Sequence, residues 1–139
     1  HDGIDHISGN LLTMIIIGLI LENEIGKKKL LFIYFSTGII AGLVSVSYNM
    51  IVGTPEIISV GASGAIFGLM GALVSLAIID YRKVGTINTN RLIVYIVLSV
   101  HVGLSNDTID NAAHIGGLLA GMLIVAIQFY VIPAFKRHL

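Results

Sequence analysis

The chain has 139 residues, 55% of them hydrophobic and only 12% charged, with a formal charge of zero and a mean hydropathy of +0.94, whereas about 25% of the residues of a soluble domain are charged. That balance excludes an ordinary water-soluble enzyme and makes a membrane domain the default. The lack of cysteine excludes a disulfide framework, a thiolate metal site and a Cys nucleophile, and basic residues that form no patch with aromatics argue against nucleic acid as a partner.

The sequence opens at His1 without an initiator Met, a basic n-region or a cleavage site, so it reads as a piece of a longer chain. Apolar runs long enough to cross a hydrocarbon core of ~30 Å, for which about 20 helical residues suffice, are predicted at 7–21, 30–52, 63–79, 92–104 and 112–132. A soluble domain of this size has too little surface to wrap five helices that are apolar all round. The expected fold is therefore all-α, a polytopic transmembrane helical bundle occupying 1–139 as one domain. Pro55 and its neighbouring glycines mark the loop before the third span, and Pro133 closes the fifth.

Charge placement tests this layout. All 8 Lys and Arg fall after the first span (Lys27, Lys28, Lys29), between the third and fourth (Arg82, Lys83, Arg91) and after the fifth (Lys136, Arg137). With five alternating spans those places share one side, which the positive-inside rule makes cytoplasmic. The N-terminus, "GTPEIIS" at 53–59 and "SNDTID" at 105–110 then face outward. Glu22 and Glu24, at the inner end of the first span, stay wet or pair with Lys27 to Lys29.

Among the polar side chains in or entering the spans, four reach one height in the outer half. His6 and Asn10 enter the first span one turn apart on one face. Ser63 opens the third span, and His114 lies at similar depth in the fifth. Polar groups in a membrane are costly unless they face the bundle and find partners, so they mark a functional site by default. Gly64, Gly68, Gly71, Ala72 and Ser75 form a small-residue stripe, and His114, Gly117 and Gly121 share a face that includes a GxxxG spacing. Such stripes let helix backbones approach closely, which a hydrogen bond between Ser63 and His114 requires.

The chemistry that fits is nucleophilic acyl transfer, with Ser63 activated by His114 as base. Asn10, His6 and the Ser63 backbone N–H are the available donors for an oxyanion. Asp110, four residues before His114, could reach it, but is better explained as a helix cap or a simple loop acid than as a third catalytic member. Each element also has a structural explanation: a Ser in such a helix commonly bonds its own backbone, GxxxG alone is weak, and Phe67 is packing by default with buttressing of the imidazole as the alternative. His101, in the fourth span with no polar companion, reads as structural or as an outer-boundary residue. "GASGA" is not the GxSxG nucleophile elbow, because Ala65 replaces the last glycine and no strand precedes it. Two other classes stay open: a non-catalytic protein that binds membrane helices, and a channel or carrier subunit lined by His6, Asn10 and His114. A metal site on the histidines lacks a third ligand in the sequence.

"HISGN" at 6–10 with His1 five positions earlier, "GASGAIFGLMG" at 61–71 and "AAHIGGLLAG" at 112–121 fall in that order on the first, third and fifth spans. Together they resemble the signatures of the rhomboid intramembrane serine proteases, and "ENEIG" at 22–26 resembles the ExxxG turn of that family. The resemblance spans nearly the whole chain. It implies Ser63 as nucleophile, His114 as general base, and His6, Asn10 and the Ser63 N–H as the oxyanion hole. Gly61 falls in the turn leading to Ser63, and His1, Gly64, Phe67, Gly117 and Gly121 are supporting positions.

The resemblance further implies a multi-pass protein of the bacterial plasma membrane with its site facing outward. Such proteins cleave transmembrane protein substrates within the lipid bilayer, near its outer face, with no cofactor and no metal. The fourth span would be the helix that moves aside for substrate, and "SNDTIDN" a cap over the site. Phe67 stands where bacterial members often carry Tyr. The family's domain begins with another transmembrane helix and a long loop that do not precede His1, so five spans of a six-helix core are expected here.

Overall fold

The structure is a computed structural model that describes residues 4–53, 62–79, 90, 93, 94, 96–98, 101 and 109–131, with backbone only for Asp5, His6, Tyr130 and Val131. Among these residues the regular elements are all helical: α1 (Ile4–Ile25), α2 (Lys27–Val52), α3 (Ser63–Ile79) and α4 (Asn111–Ala126), the last running into a π-helical segment, Ile127–Val131. Scattered helical residues from Ile93 to His101 fall within the fourth predicted span, much of which lies outside the described residues.

Among the described residues, three helical segments, Ile7–Ile25, Lys27–Val52 and Asn111–Phe129, are long and apolar enough to cross a membrane. The third predicted span matches α3 at both ends, whereas α1 extends beyond its predicted run in both directions. The C-terminal extension carries Glu22, Asn23 and Glu24, all exposed; a helix outlasts its apolar stretch when its last turn can remain in water.

One residue turns α1 into α2. The Gly26 N–H donates to the Glu22 carbonyl at 2.9 Å, closing α1, while its own carbonyl accepts from Leu30 N–H at 3.1 Å, opening α2. Between the two bonds the chain changes direction at Gly26, with φ of +81° and ψ of 156°, a conformation that glycine alone adopts readily. Gly26→Ala is therefore expected to cost about 1–3 kcal/mol, read as a lowered unfolding temperature in detergent, although a methyl there meets nothing within 4 Å. An unchanged temperature would show that the turn is not strained by a side chain.

The helix α3 forms the centre of the bundle. Every residue from Gly64 to Ala77 is buried, as expected of a helix that is apolar all round and surrounded by others. The surrounding helices turn large apolar residues outward: Leu12 and Leu19 on α1, Phe35 and Leu43 on α2, Leu119 and Leu123 on α4. A bundle apolar both inside and outside is suited to lipid rather than water. Association in lipid rests on van der Waals packing and a few polar bonds, which favours small residues at the contacts.

The glycine contacts are correspondingly close. A methyl at position 117 would stand 2.0 Å from the Gly64 carbonyl oxygen, one at 121 would stand 1.9 Å from that of Gly68, and one at 71 would stand 2.0 Å from that of Leu118. Backbone thus lies on backbone along the length of the α3–α4 interface. The face of α2 that covers both helices is a buried row with a period of four: Ile33, Thr37, Ala41, Ser45 and Asn49. The Thr37 hydroxyl donates to the Ile33 carbonyl at 2.8 Å and lies 3.5 Å from the carbonyl of Ala65 on α3. Ala41 sits where α3 and α4 cross, its Cβ 2.7 Å from a methyl placed at Gly64 and 3.5 Å from one placed at Gly117.

Candidate active site

Ser63 is the first residue of α3. The Ile66 N–H donates to the Ala62 carbonyl at 3.0 Å, so helical bonding begins there, and the N–H groups of the turn that starts at Ser63 have no acceptor within the helix. Alanine at the cap position offers no side-chain oxygen to them. The first turn of α3 is thus a row of backbone donors in an apolar bundle.

His114 is buried one turn into α4, 8% exposed. Asp110 caps this helix: its Oδ1 accepts from the Ala113 N–H at 2.8 Å, and its backbone carbonyl accepts from the His114 N–H at 3.1 Å. This is the capping role expected for it from the sequence. The imidazole lies flat on Phe67, with ring centroids 4.1 Å apart and planes 9° from parallel. Such a stack fixes the plane of the imidazole.

Phe67 is one turn beyond Ser63 on the same face of α3. Next to Ser63, the Gly64 carbonyl meets the bare Cα of Gly117, and a methyl on Gly64 would lie 3.5 Å from the Ala113 carbonyl. The turn bearing the hydroxyl and the turn bearing the imidazole therefore occupy the same end of one interface. Gly64, Gly117 and Gly121 lie in its contacts, as the small-residue pattern anticipated.

The helix α1 packs on α2 and α3. On it, Asn10 is partly buried, and its Nδ2 is enclosed with no hydrogen-bond acceptor among the described residues. His6 belongs to the same helix, but its side chain lies outside the described residues, as do His1 and Gly61. His101 is exposed. Among the described residues, no group of three or more His, Asp or Glu is arranged to hold a metal ion.

Sequence reasoning overlooked the polar members of α2. The Ser45 hydroxyl, 1% exposed, donates to Oδ2 of Asp110. The signal was present: Thr37, Ser45 and Asn49 interrupt an apolar span at intervals of eight and four, placing all three on one helical face.

Comparison with known proteins places the chain in a family. The Rhomboid domain profile matches residues 1–131. Rhomboid protease GluP of Bacillus subtilis (strain 168) is 36% identical over 127 residues, a stretch covering 91% of this chain and 24% of GluP. RHOMBOID-like protein 5 of Arabidopsis thaliana is 38% identical over 130 residues, covering 89% of this chain and 40% of that protein. RHOMBOID-like protein 7 of the same plant is 31% identical over 125 residues, with 89% and 38% covered. The chain thus spans less than half the length of each of these relatives. With three helices fit to span a bilayer and a family profile covering nearly all of its length, the chain belongs to the rhomboid family of integral membrane proteins.

Proposed function

We propose that this chain carries the reaction centre of an intramembrane serine endopeptidase that cleaves transmembrane segments of other proteins near the outer face of the membrane. The observation that carries this reading is the His114 imidazole stacked on Phe67, one turn from Ser63, at an interface where α3 and α4 touch backbone to backbone. Family membership and the likeness to a rhomboid protease support it. The five-span topology and the outward orientation belong to the same proposal and rest on the charge distribution.

In this mechanism His114 accepts the Ser63 proton as the Ser63 oxygen attacks the carbonyl carbon of the scissile peptide. The negative charge on the former carbonyl oxygen is met by the Ser63 backbone N–H, the Asn10 amide and His6. Collapse breaks the C–N bond, and His114 returns its proton to the departing amine. Water, activated by the same imidazole, then cleaves the acyl ester and restores the serine. The enclosed Nδ2 of Asn10 suits this role, since an amide donor held away from water gains most from an oxyanion. A transmembrane helix must unwind locally before its carbonyl can be reached, so substrates with small or helix-breaking residues at the cut are favoured.

The test uses a full-length form in detergent with a helical membrane substrate and a fluorophosphonate probe. The parent is expected to cleave the substrate and to be labelled at Ser63, and Ser63→Ala to do neither. Cleavage by Ser63→Ala at the parental rate overturns the proposal. Ion flux through liposomes without labelling would favour a channel or carrier, and substrate binding without labelling a helix-binding protein.

A further inference from the structure

Glycine meeting backbone sets how near α3 and α4 lie, and the stack on Phe67 sets the plane of the imidazole. Rotation of α4 about its axis would swing His114, and a tie from a third helix to its first turn would add resistance to that motion.

The helix α2 supplies it. Ser45 lies one turn from Ala41, the residue seated at the Gly64–Gly117 crossing. Its buried hydroxyl donates to Oδ2 of Asp110, while Oδ1 of the same carboxylate accepts from the Ala113 N–H, adjacent to His114. A single carboxylate thus links a side chain of α2 to the backbone that carries the imidazole. Bonds to a carboxylate are stronger than neutral ones, and both of these are shielded in part from water. We propose that Ser45 and Asp110 form a positioning pair that sets the rotation of the His114 turn relative to α2 and α3. This rests on the Ser63–His114 reading above and adds two residues that act through the imidazole without touching substrate.

A positioning role makes a prediction that an electrostatic one does not. Asparagine at 110 can still cap Ala113 through its oxygen, and its NH₂ can donate to the Ser45 oxygen, so the link survives without the charge. The experiment measures kcat, KM and fluorophosphonate labelling of Ser63 in the full-length protein, at a temperature where each variant is folded. Ser45→Ala and Asp110→Ala are each expected to lower kcat and the labelling rate together by about tenfold, with KM within about twofold, the scale on which small misplacements of reacting groups act. Ser45→Thr and Asp110→Asn are expected to stay within about threefold of the parent, and the double alanine variant to be no slower than the slower single variant.

Parental kcat in Ser45→Ala overturns the positioning pair. So does Asp110→Asn as slow as Asp110→Ala, because that outcome assigns the effect to charge. Should Ser45→Ala fail to fold, the comparison of Asp110→Asn with Asp110→Ala carries the test. Ser63→Ala is run in parallel: if it cleaves like the parent, the protease reading falls and the positioning pair with it. If Ser63→Ala is inactive while Ser45→Ala matches the parent, only the positioning pair falls.

Discussion

His114→Ala is expected to reduce turnover about 100- to 10,000-fold, the usual contribution of a positioned general base, while the protein remains folded. The neighbouring ring distinguishes a base from a packing residue. Phe67 is 5% exposed and lies face to face with the imidazole, a contact worth about 0.5–1.5 kcal/mol beyond its buried area. Phe67→Leu keeps most of the volume but removes the flat surface, so a loss of about three- to tenfold in kcat should follow if the full stacking energy serves to orient His114. In the His114→Ala background the same leucine should change turnover no further, because it acts only through the ring it supports. Equal losses from Phe67→Leu in both backgrounds would show that the stack has no part in catalysis. Cleavage at the parental rate by His114→Ala would remove the base from the mechanism.

Gly121→Ala is expected, with Gly71→Ala and Gly117→Ala, to have the largest effect on the fold of any methyl added to a described glycine. Its Cβ would stand 1.9 Å from the Gly68 carbonyl oxygen and 2.7 Å from the carbonyl carbon, and both belong to backbone that no rotamer change can move. Restoring van der Waals contact requires α3 and α4 to part by more than 1 Å. Overpacking of this kind costs about 1–3 kcal/mol, and a displacement of about 1 Å at a reaction centre can cost about 100-fold in rate. Gly121→Ala should therefore lower both the unfolding temperature and the rate of cleavage. The controls are Gly18→Ala and Gly42→Ala, at helical positions where a methyl meets nothing within 4 Å; there the gain in helix propensity, at most about 1 kcal/mol, leaves stability equal or higher. If Gly121→Ala behaves like these controls, the two helices are not in backbone contact.

The course of the chain was largely legible in the sequence because the bilayer imposes a length on each apolar run. The boundaries of α3 were read correctly from where the apolar residues begin and end. The C-terminal end of α1 was not, because Glu22, Asn23 and Glu24 lack an apolar signal yet continue the helix until Gly26 breaks it. The capping role of Asp110 was readable from its distance to the next apolar run, since a cap is a local interaction. Its second bond, to Ser45, was not readable, because the partners are 65 residues apart and helix rotation decides whether they meet.

The sequence by itself determined that the chain is helical and membrane-embedded, that a serine and a histidine stand in the first turns of separate apolar helices, and that glycine lines the helices bearing them. These follow from hydropathy and from the fixed rise and period of the α-helix, which apply before any helix meets another. Tertiary structure alone decided which glycine faces which carbonyl, that Phe67 lies flat on His114, and that α2 reaches the head of α4 through Ser45. Those are matters of how helices rotate and cross, and in a medium where interior and exterior are equally apolar only close packing and a few polar bonds select among the alternatives.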